Sequence, residues 1–183
     1  PVWFDELFTL WIARRAPASI VAALRKDSGP PLFYFLQTPF VRLAESLGSD
    51  SAARVLPFLV LSALFLAQFR RETSGGSRFV VLLACSPLLF FYSGEARAYA
   101  LLAALSFLLF LAVFRLRTRW RTPAAGAAAL LLPWIHYLGT MVVAGSVLLA
   151  LARKRRRVAL LQALAAAPFL LWIPTALRQP SAA

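Results

Sequence analysis

The sequence is poor in the residues that many enzymes use for chemistry. It has one cysteine, Cys85, inside an apolar run, and one histidine, His136. No disulfide can close within the chain and no cysteine-based metal site can form. Cys85 reads as a small buried apolar side chain, and a single histidine with no cysteine beside it is weak ground for a metal ion. There is no Walker loop, no GxGxxG, no GxSxG and no HExxH. Their absence argues against P-loop hydrolases, dinucleotide-binding enzymes, serine-elbow hydrolases and zinc proteases. Acids are scarce too: seven Asp and Glu against 20 Lys and Arg, a net charge of +13. The chain opens on Pro1 rather than Met and stops at Ala183 without a terminating feature. It is expected to be part of a longer protein, with at least one span upstream and several downstream, and no signal peptide can be judged from such a start.

What the chain has in excess is apolar surface. Hydrophobic residues make up 61% of it, against roughly 45–50% in ordinary soluble domains. They sit in runs such as Phe79–Phe91, Ala98–Phe114, Ala124–Ile135, Met141–Ala152 and Val158–Ile173. A soluble core of this size has no room for so many unpatterned runs. The charge is equally uneven. Twelve of the 20 basic residues fall in three short loops: Arg70, Arg71 and Arg78; Arg115, Arg117, Arg119 and Arg121; Arg153, Lys154, Arg155, Arg156 and Arg157. In a soluble protein this charge would suggest nucleic acid as a partner. Loops of this kind between apolar runs are instead the positive-inside pattern of a membrane protein, and no nucleic-acid partner is expected. The clusters suit contact with anionic lipid headgroups.

The expected fold class is therefore all-α: a polytopic transmembrane helical bundle with amphipathic juxtamembrane helices on its outer face. Residues 1–29 carry too many charges to span. They read as two short surface helices separated at Pro17, the first with an apolar face of Phe8, Leu10, Trp11 and Ile12. Residues 30–47, interrupted by Pro39, Arg42 and Glu45, read as an interfacial or re-entrant helix. About six transmembrane helices follow over residues 54–174: 54–69, 78–92, 96–114, 123–136, 138–152 and 158–174. All of this belongs to one transmembrane domain. If residues 31–47 do not cross, all three arginine clusters face the cytoplasm, and six of the seven acids lie outside with Glu72 the exception.

Length adds a further expectation. A full span needs ~20 residues at ~1.5 Å each. Two helices of ~14 residues within 123–152 reach only ~20 Å of a ~30 Å hydrocarbon core. The turn at His136-Tyr137 would then sit below the outer surface. The polar turn Tyr92–Tyr99 is equally out of place in lipid. Polar non-helical backbone at that depth is tolerated only beside protein or a wet cavity. A cavity open to the outer face follows. One long helix over 124–152 is the competing reading, but it would put arginine-rich segments on both sides of the membrane.

Several polar residues become candidates on this basis. Asp5 and Glu6 lie on the outer side at the start of an amphipathic helix, either as a functional carboxylate pair or as a helix cap, with Asp5 the N-cap. Glu95 and Arg97 lie in the recessed turn, where ionisable groups are functional candidates by default. On a helix, Tyr92, Glu95 and Tyr99 would share one face, while Glu95 and Arg97 could not pair with each other. His136 and Tyr137 are candidates by depth. Most of the other aromatics near outer ends, such as Trp3, Trp11, Trp134 and Trp172, suffice as an interfacial belt.

Four stretches taken in order carry a resemblance: Trp3-Phe4-Asp5-Glu6 with Thr9; Asp27-x-x-Pro30-Pro31-Leu32-Phe33-Tyr34; Tyr92-Ser93-x-Glu95-Ala96-Arg97-x-Tyr99-Ala100-Leu101; and His136-Tyr137. The chain resembles the N-terminal half of bacterial GT-C fold membrane glycosyltransferases, in particular the protein O-mannosyltransferase-like family that includes the lipid A aminoarabinose transferases. The resemblance implies a polyprenyl-phosphate sugar donor, inversion at the anomeric carbon, and an active site facing the periplasm from the bacterial inner membrane. It implies Asp5 as general base. Glu6, Asp27, Tyr92, Glu95, Arg97, Tyr99, His136 and Tyr137 are the expected substrate-binding residues. The family often has His before the Pro pair, where this chain has Gly29. The expected partners are the polyprenyl-phosphate donor, a lipid, glycan or protein acceptor, and membrane lipids. No cofactor is required; a divalent metal is compatible with the carboxylates but not otherwise supported. The rival expectations are a transporter or flippase of lipid-linked or anionic solutes and a non-catalytic membrane scaffold.

Overall fold

The computed structural model describes residues 4–25, 29–71, 91–92, 94–114 and 118–179. Among them the chain is all-α, with no strand. The helices are α1 (Phe4–Ala13), α2 (Pro17–Leu24), α3 (Leu32–Leu47), α4 (Val55–Arg71), α5 (Tyr99–Phe114), α6 (Thr118–Ile135), α7 (Leu138–Ala152), α8 (Arg156–Ala166) and the single turn α9 (Ile173–Ala176). A 3-10 turn, Asp50–Arg54, leads into α4, and a 3-10 stretch, Ala167–Trp172, joins α8 to α9. The expected span 78–92 lies outside the described residues except at its end, as do Trp3, Lys26, Asp27, Cys85 and Ser93. The chain forms two compact units, one of residues 1–16 with 34–104, the other of residues 17–33 with 105–183.

In the first unit, α1 begins at Phe4, so Asp5 lies inside its first turn and is not the N-cap. Two carboxylates there still meet the positive end of the helix dipole. Glu6, Thr9, Leu10 and Ala13 are buried at spacings of three and four, with Ile12 beside them. Phe4, Leu7 and Trp11 are exposed. The expected apolar face is thereby split. Leu10 and Ile12 turn into the protein, whereas Trp11 turns out, because the inward face is the one that carries Glu6. The inner face packs in a small cluster of Leu10, Ala13, Val41, Ala44, Ala52, Ala53 and Ala96. Alanines let the backbones approach closely, and hydrogen bonds cross the gap: Gln37 Nε2 donates to the Ala53 carbonyl, and the Thr38 hydroxyl lies 3.1 Å from the Ala13 carbonyl. Helix α3 ends at Gly48, whose φ of 61° lets Ser49 N–H reach the Ala44 carbonyl and Gly48 N–H reach that of Glu45. This left-handed stop caps two otherwise unpaired carbonyls.

In the second unit α6, α7 and α8 pack against one another. Ala125, Ala128, Ala129 and Leu132 of α6 are fully buried, with Val143 and Ala150 of α7 and Val158, Ala159 and Gln162 of α8. Small residues at helix contacts are how membrane helices achieve close packing. Gly139 lies so near the Leu132 carbonyl that a Cβ would overlap it, and Gly126 leaves room for Leu161, which a Cβ would meet at 2.8 Å.

Helix α6 starts five residues before the expected boundary at 123. Pro123 sits within it and marks no end. Its 18 residues give a length of ~27 Å, so shortness gives no reason for its end to be recessed. The 15 residues of α7 reach ~22 Å and do fall short of a hydrocarbon core of ~30 Å.

Residues Arg156–Ala176 form a 21-residue helical stretch that is long and apolar enough to cross a membrane, the one such stretch among the described residues; α5 and α7 are apolar but shorter. Only 28% of its most apolar window is buried in the protein, and Leu160, Leu164, Leu170 and Leu171 stand exposed.

Candidate functional site

The candidate site lies in the first unit, where the start of α1 meets the bend of residues 94–98. Within the turn expected over Tyr92–Tyr99, residues 94–98 form a bend and the next helix, α5, starts only at Tyr99, so the shared helical face of Tyr92, Glu95 and Tyr99 does not form. Arg97 N–H bonds the Glu95 carbonyl at 2.8 Å, a contact too short in sequence for a helix. Tyr92 and Tyr99 still meet, with ring centroids 4.7 Å apart, and the Arg97 guanidinium lies 5.1 Å from the Tyr99 ring centroid.

Three carboxylates and two arginines converge here in distinct ways. Glu6 is 1% exposed and is gripped from both sides. Arg54 donates to it twice, Nε to Oε1 at 3.0 Å and a terminal nitrogen to Oε2 at 2.7 Å. The Ala96 N–H donates to Oε1 at 2.8 Å. The fork-to-fork pair plus the backbone donor is the geometry that makes a buried carboxylate tolerable. Glu6, expected to contact substrate, is therefore an internal anchor that ties α1 to the 3-10 turn and to the 94–98 bend.

Asp5, the next residue on the helix, faces outward. Its Oδ2 accepts from Arg97 at 2.5 Å, and its side chain is 60% exposed. Its Oδ1 accepts no hydrogen bond among the described residues. Arg97 thus finds its ion-pair partner 92 positions away in the chain.

Glu95 is buried and makes no ion pair or side-chain hydrogen bond among the described residues. Its pKa lies above the ordinary glutamate value, first because burial disfavours the charge, then because Glu6 is near, with Arg97 opposing. A raised folded pKa means that the fold binds the proton more tightly than the unfolded chain. The stability this gives is full below the unfolded value, ~4.3, and is lost as pH rises through the folded one. Glu95→Gln keeps a neutral side chain at every pH. Its melting temperature is expected to match wild type near the bottom of this window and to pull ahead as pH climbs to neutrality. A gap that does not change with pH would show that Glu95 carries no raised pKa.

Arg54 is the residue sequence reasoning missed. The available signal was its position: an arginine at the acid-rich end of an apolar run, away from the basic loops. The remaining candidates, His136 and Tyr137, belong to the second unit. They occupy the two-residue break between α6 and α7. His136 Nδ1 accepts the Leu138 N–H at 3.1 Å, a local cap for the first turn of α7. The Tyr137 hydroxyl donates to Gln179 Oε1 at 2.5 Å and accepts from Trp172 Nε1 at 3.1 Å. Gln179 in turn donates to the Leu24 carbonyl. Both side chains thus have local structural work. Among the described residues no group of three His, Cys, Asp or Glu is placed to hold a metal ion.

The chain matches no protein-family model, no curated protein and no solved structure.

Proposed function

We propose that this chain is part of a polytopic membrane glycosyltransferase that moves a sugar from a polyprenyl-phosphate donor to an acceptor hydroxyl, with inversion, on the outer face of a bacterial plasma membrane. The single observation that carries the proposal is the arrangement of Asp5 beside Glu6. Glu6 is consumed in holding α1, so that the neighbouring Asp5 is presented outward on a fixed backbone with one oxygen bound and one open.

That arrangement suits a general base. The open Oδ1 accepts the proton of an acceptor hydroxyl as its oxygen attacks the anomeric carbon, and the bond to the lipid phosphate breaks on the opposite face. A base so placed contributes a factor of roughly 10²–10⁴. Arg97, held against Asp5 and the Tyr99 ring, sets the position of the carboxylate. The phosphate departs on the opposite face and needs a cation there. Tyr92 and Tyr99 supply an aromatic wall. Asp27, which lies outside the described residues, keeps its role only through the resemblance of the Asp27-x-x-Pro30-Pro31 stretch. The exposed leucines of the Arg156–Ala176 stretch suit a donor whose lipid tail stays in the bilayer.

The full-length protein in proteoliposomes, given a polyprenyl-phosphate sugar and a mixed pool of cell-envelope acceptors, is expected to transfer the sugar with the opposite anomeric configuration. Absence of transfer across a panel of such donors, or a retained configuration, would sink the reading. Donor flipping across the bilayer without transfer would favour a flippase instead.

A further inference from the structure

The second unit concentrates positive charge at one bend. Arg153, Lys154, Arg155, Arg156 and Arg157 follow one another where α7 gives way to α8, and all but Arg155 are exposed. Lys154 has a φ of 57°, the left-handed conformation that turns a chain sharply. The five side chains are thereby held in one short corner. Two of them also touch the protein: the Arg155 guanidinium donates to the Val113 carbonyl, and that of Arg153 lies 4.7 Å from the Phe114 ring centroid. The charges crowd one another, and Arg155 is pulled below its ordinary pKa by burial and then by Arg121 and Arg153. None of the seven acids in the sequence occurs after Glu95, and among the described residues no acid forms an ion pair with this corner.

An apolar groove of about 690 Å³ runs between α7, α8 and the stretch that follows α8. Leu148 and Ala163 line the end nearer the basic corner, and Tyr137 and Leu177 the far end. Tyr137 and Thr140, both at the far end, are its only polar side chains. From Leu148 to Tyr137 the groove follows ~16 Å of helix, and Leu148 lies ~7.5 Å of helix from Arg153. An apolar groove with a cluster of cations beyond one end, unpaired with any acid among the described residues, matches a molecule that is anionic at one end and a hydrocarbon chain beyond it.

We infer that the basic corner and the groove together bind an anionic phospholipid, with its phosphate among Arg153, Lys154, Arg156 and Arg157 and one acyl chain laid along the groove toward Tyr137. The inference rests on the membrane-spanning part of the proposed function and on none of its transfer chemistry. Charge-assisted hydrogen bonds to the phosphate supply headgroup preference, and the trough supplies chain contact. A neutral phospholipid keeps only the second. A polyprenyl phosphate whose reacting end sits at an outer-face site would enter the groove in the reverse sense and leave the basic corner empty.

The test uses the full-length protein in detergent, given equal amounts of phosphatidylglycerol and phosphatidylcholine with identical chains and read by native mass spectrometry. Wild type is expected to retain phosphatidylglycerol on the order of tenfold better or more. Arg153→Gln, Lys154→Gln, Arg156→Gln and Arg157→Gln combined should abolish the preference, and Lys154→Glu alone, at an exposed residue, should weaken it. Ala163→Leu with Ala166→Leu should lower retention of both lipids while leaving the headgroup preference in place. Equal retention of the two lipids by wild type would overturn the inference, as would an unchanged preference in both charge variants. So would displacement of phosphatidylglycerol by a polyprenyl phosphate equally from wild type and the quadruple variant, which would assign the groove to an isoprenoid chain. None of these readouts needs sugar transfer, so this inference and the proposed function fail separately.

Discussion

Replacing Arg54 by alanine is expected to destabilise the protein by about 3 kcal/mol, among the largest losses any single surface-reaching side chain here should produce. The reason is what remains behind. Glu6 stays buried at 1% exposure without the guanidinium that balances its charge, and an uncompensated charge in such a place costs several kcal/mol. The figure belongs near the low end of the usual range because the Arg54 side chain is itself 32% exposed. Water can therefore enter where the guanidinium was and screen part of the loss. Glu6→Gln should cost less, since its side-chain oxygen still accepts from Ala96 and no buried charge is left. The double variant Glu6→Gln with Arg54→Ala should cost less than the sum of the two single losses, because the pair offsets its own desolvation only when complete. Thermal melting of the four proteins in one detergent closes the cycle. Simple additivity would show that Glu6 and Arg54 do not act as a unit.

The same pair marks where sequence reading stops. The all-helical class is legible, because apolar runs without alternation, broken by Gly, Pro and clustered arginine, leave little else to form. Charge spacing and the polar pair His136-Tyr137 point to the break between Ile135 and Leu138. The start expected at 123 falls late, since the helix begins at Thr118 and runs through Pro123. The site is less legible. Glu6 and Arg54 are 48 positions apart and Asp5 and Arg97 are 92 apart, so neither pairing leaves a local period. Adjacent acids at a helix start read alike in sequence. Only the packing of α1 shows that Glu6 points in and Asp5 points out, a distinction the bare motif does not make. The outward stripe of Phe4, Leu7 and Trp11 is hidden for the same reason: several faces of α1 are apolar, and what selects the inner one is the carboxylate that finds Arg54.

That division of labour makes Asp5 the sharper probe of chemistry. Asp5→Asn is nearly isosteric, leaves the Glu6 anchor untouched and alters a side chain that is 60% exposed. Stability should therefore stay close to wild type, since surface changes of this kind are usually within about 0.5 kcal/mol. Transfer from a polyprenyl-phosphate sugar should fall by roughly 10²–10⁴, the contribution of a positioned base. The loss should appear in kcat rather than KM, because an amide can still hydrogen-bond the acceptor hydroxyl but cannot take its proton. Arg97→Lys offers the contrast. A lysine keeps the charge beside Asp5 but loses the planar fork and its stacking on Tyr99, so the carboxylate is held less firmly and a partial loss is expected. If Asp5→Asn melts like wild type and transfers sugar at full rate, Asp5 takes no proton. Glu95, buried and without an ion pair among the described residues, then becomes the carboxylate to examine, and the slope of the wild-type pH–rate profile against that of Glu95→Gln would decide between the two.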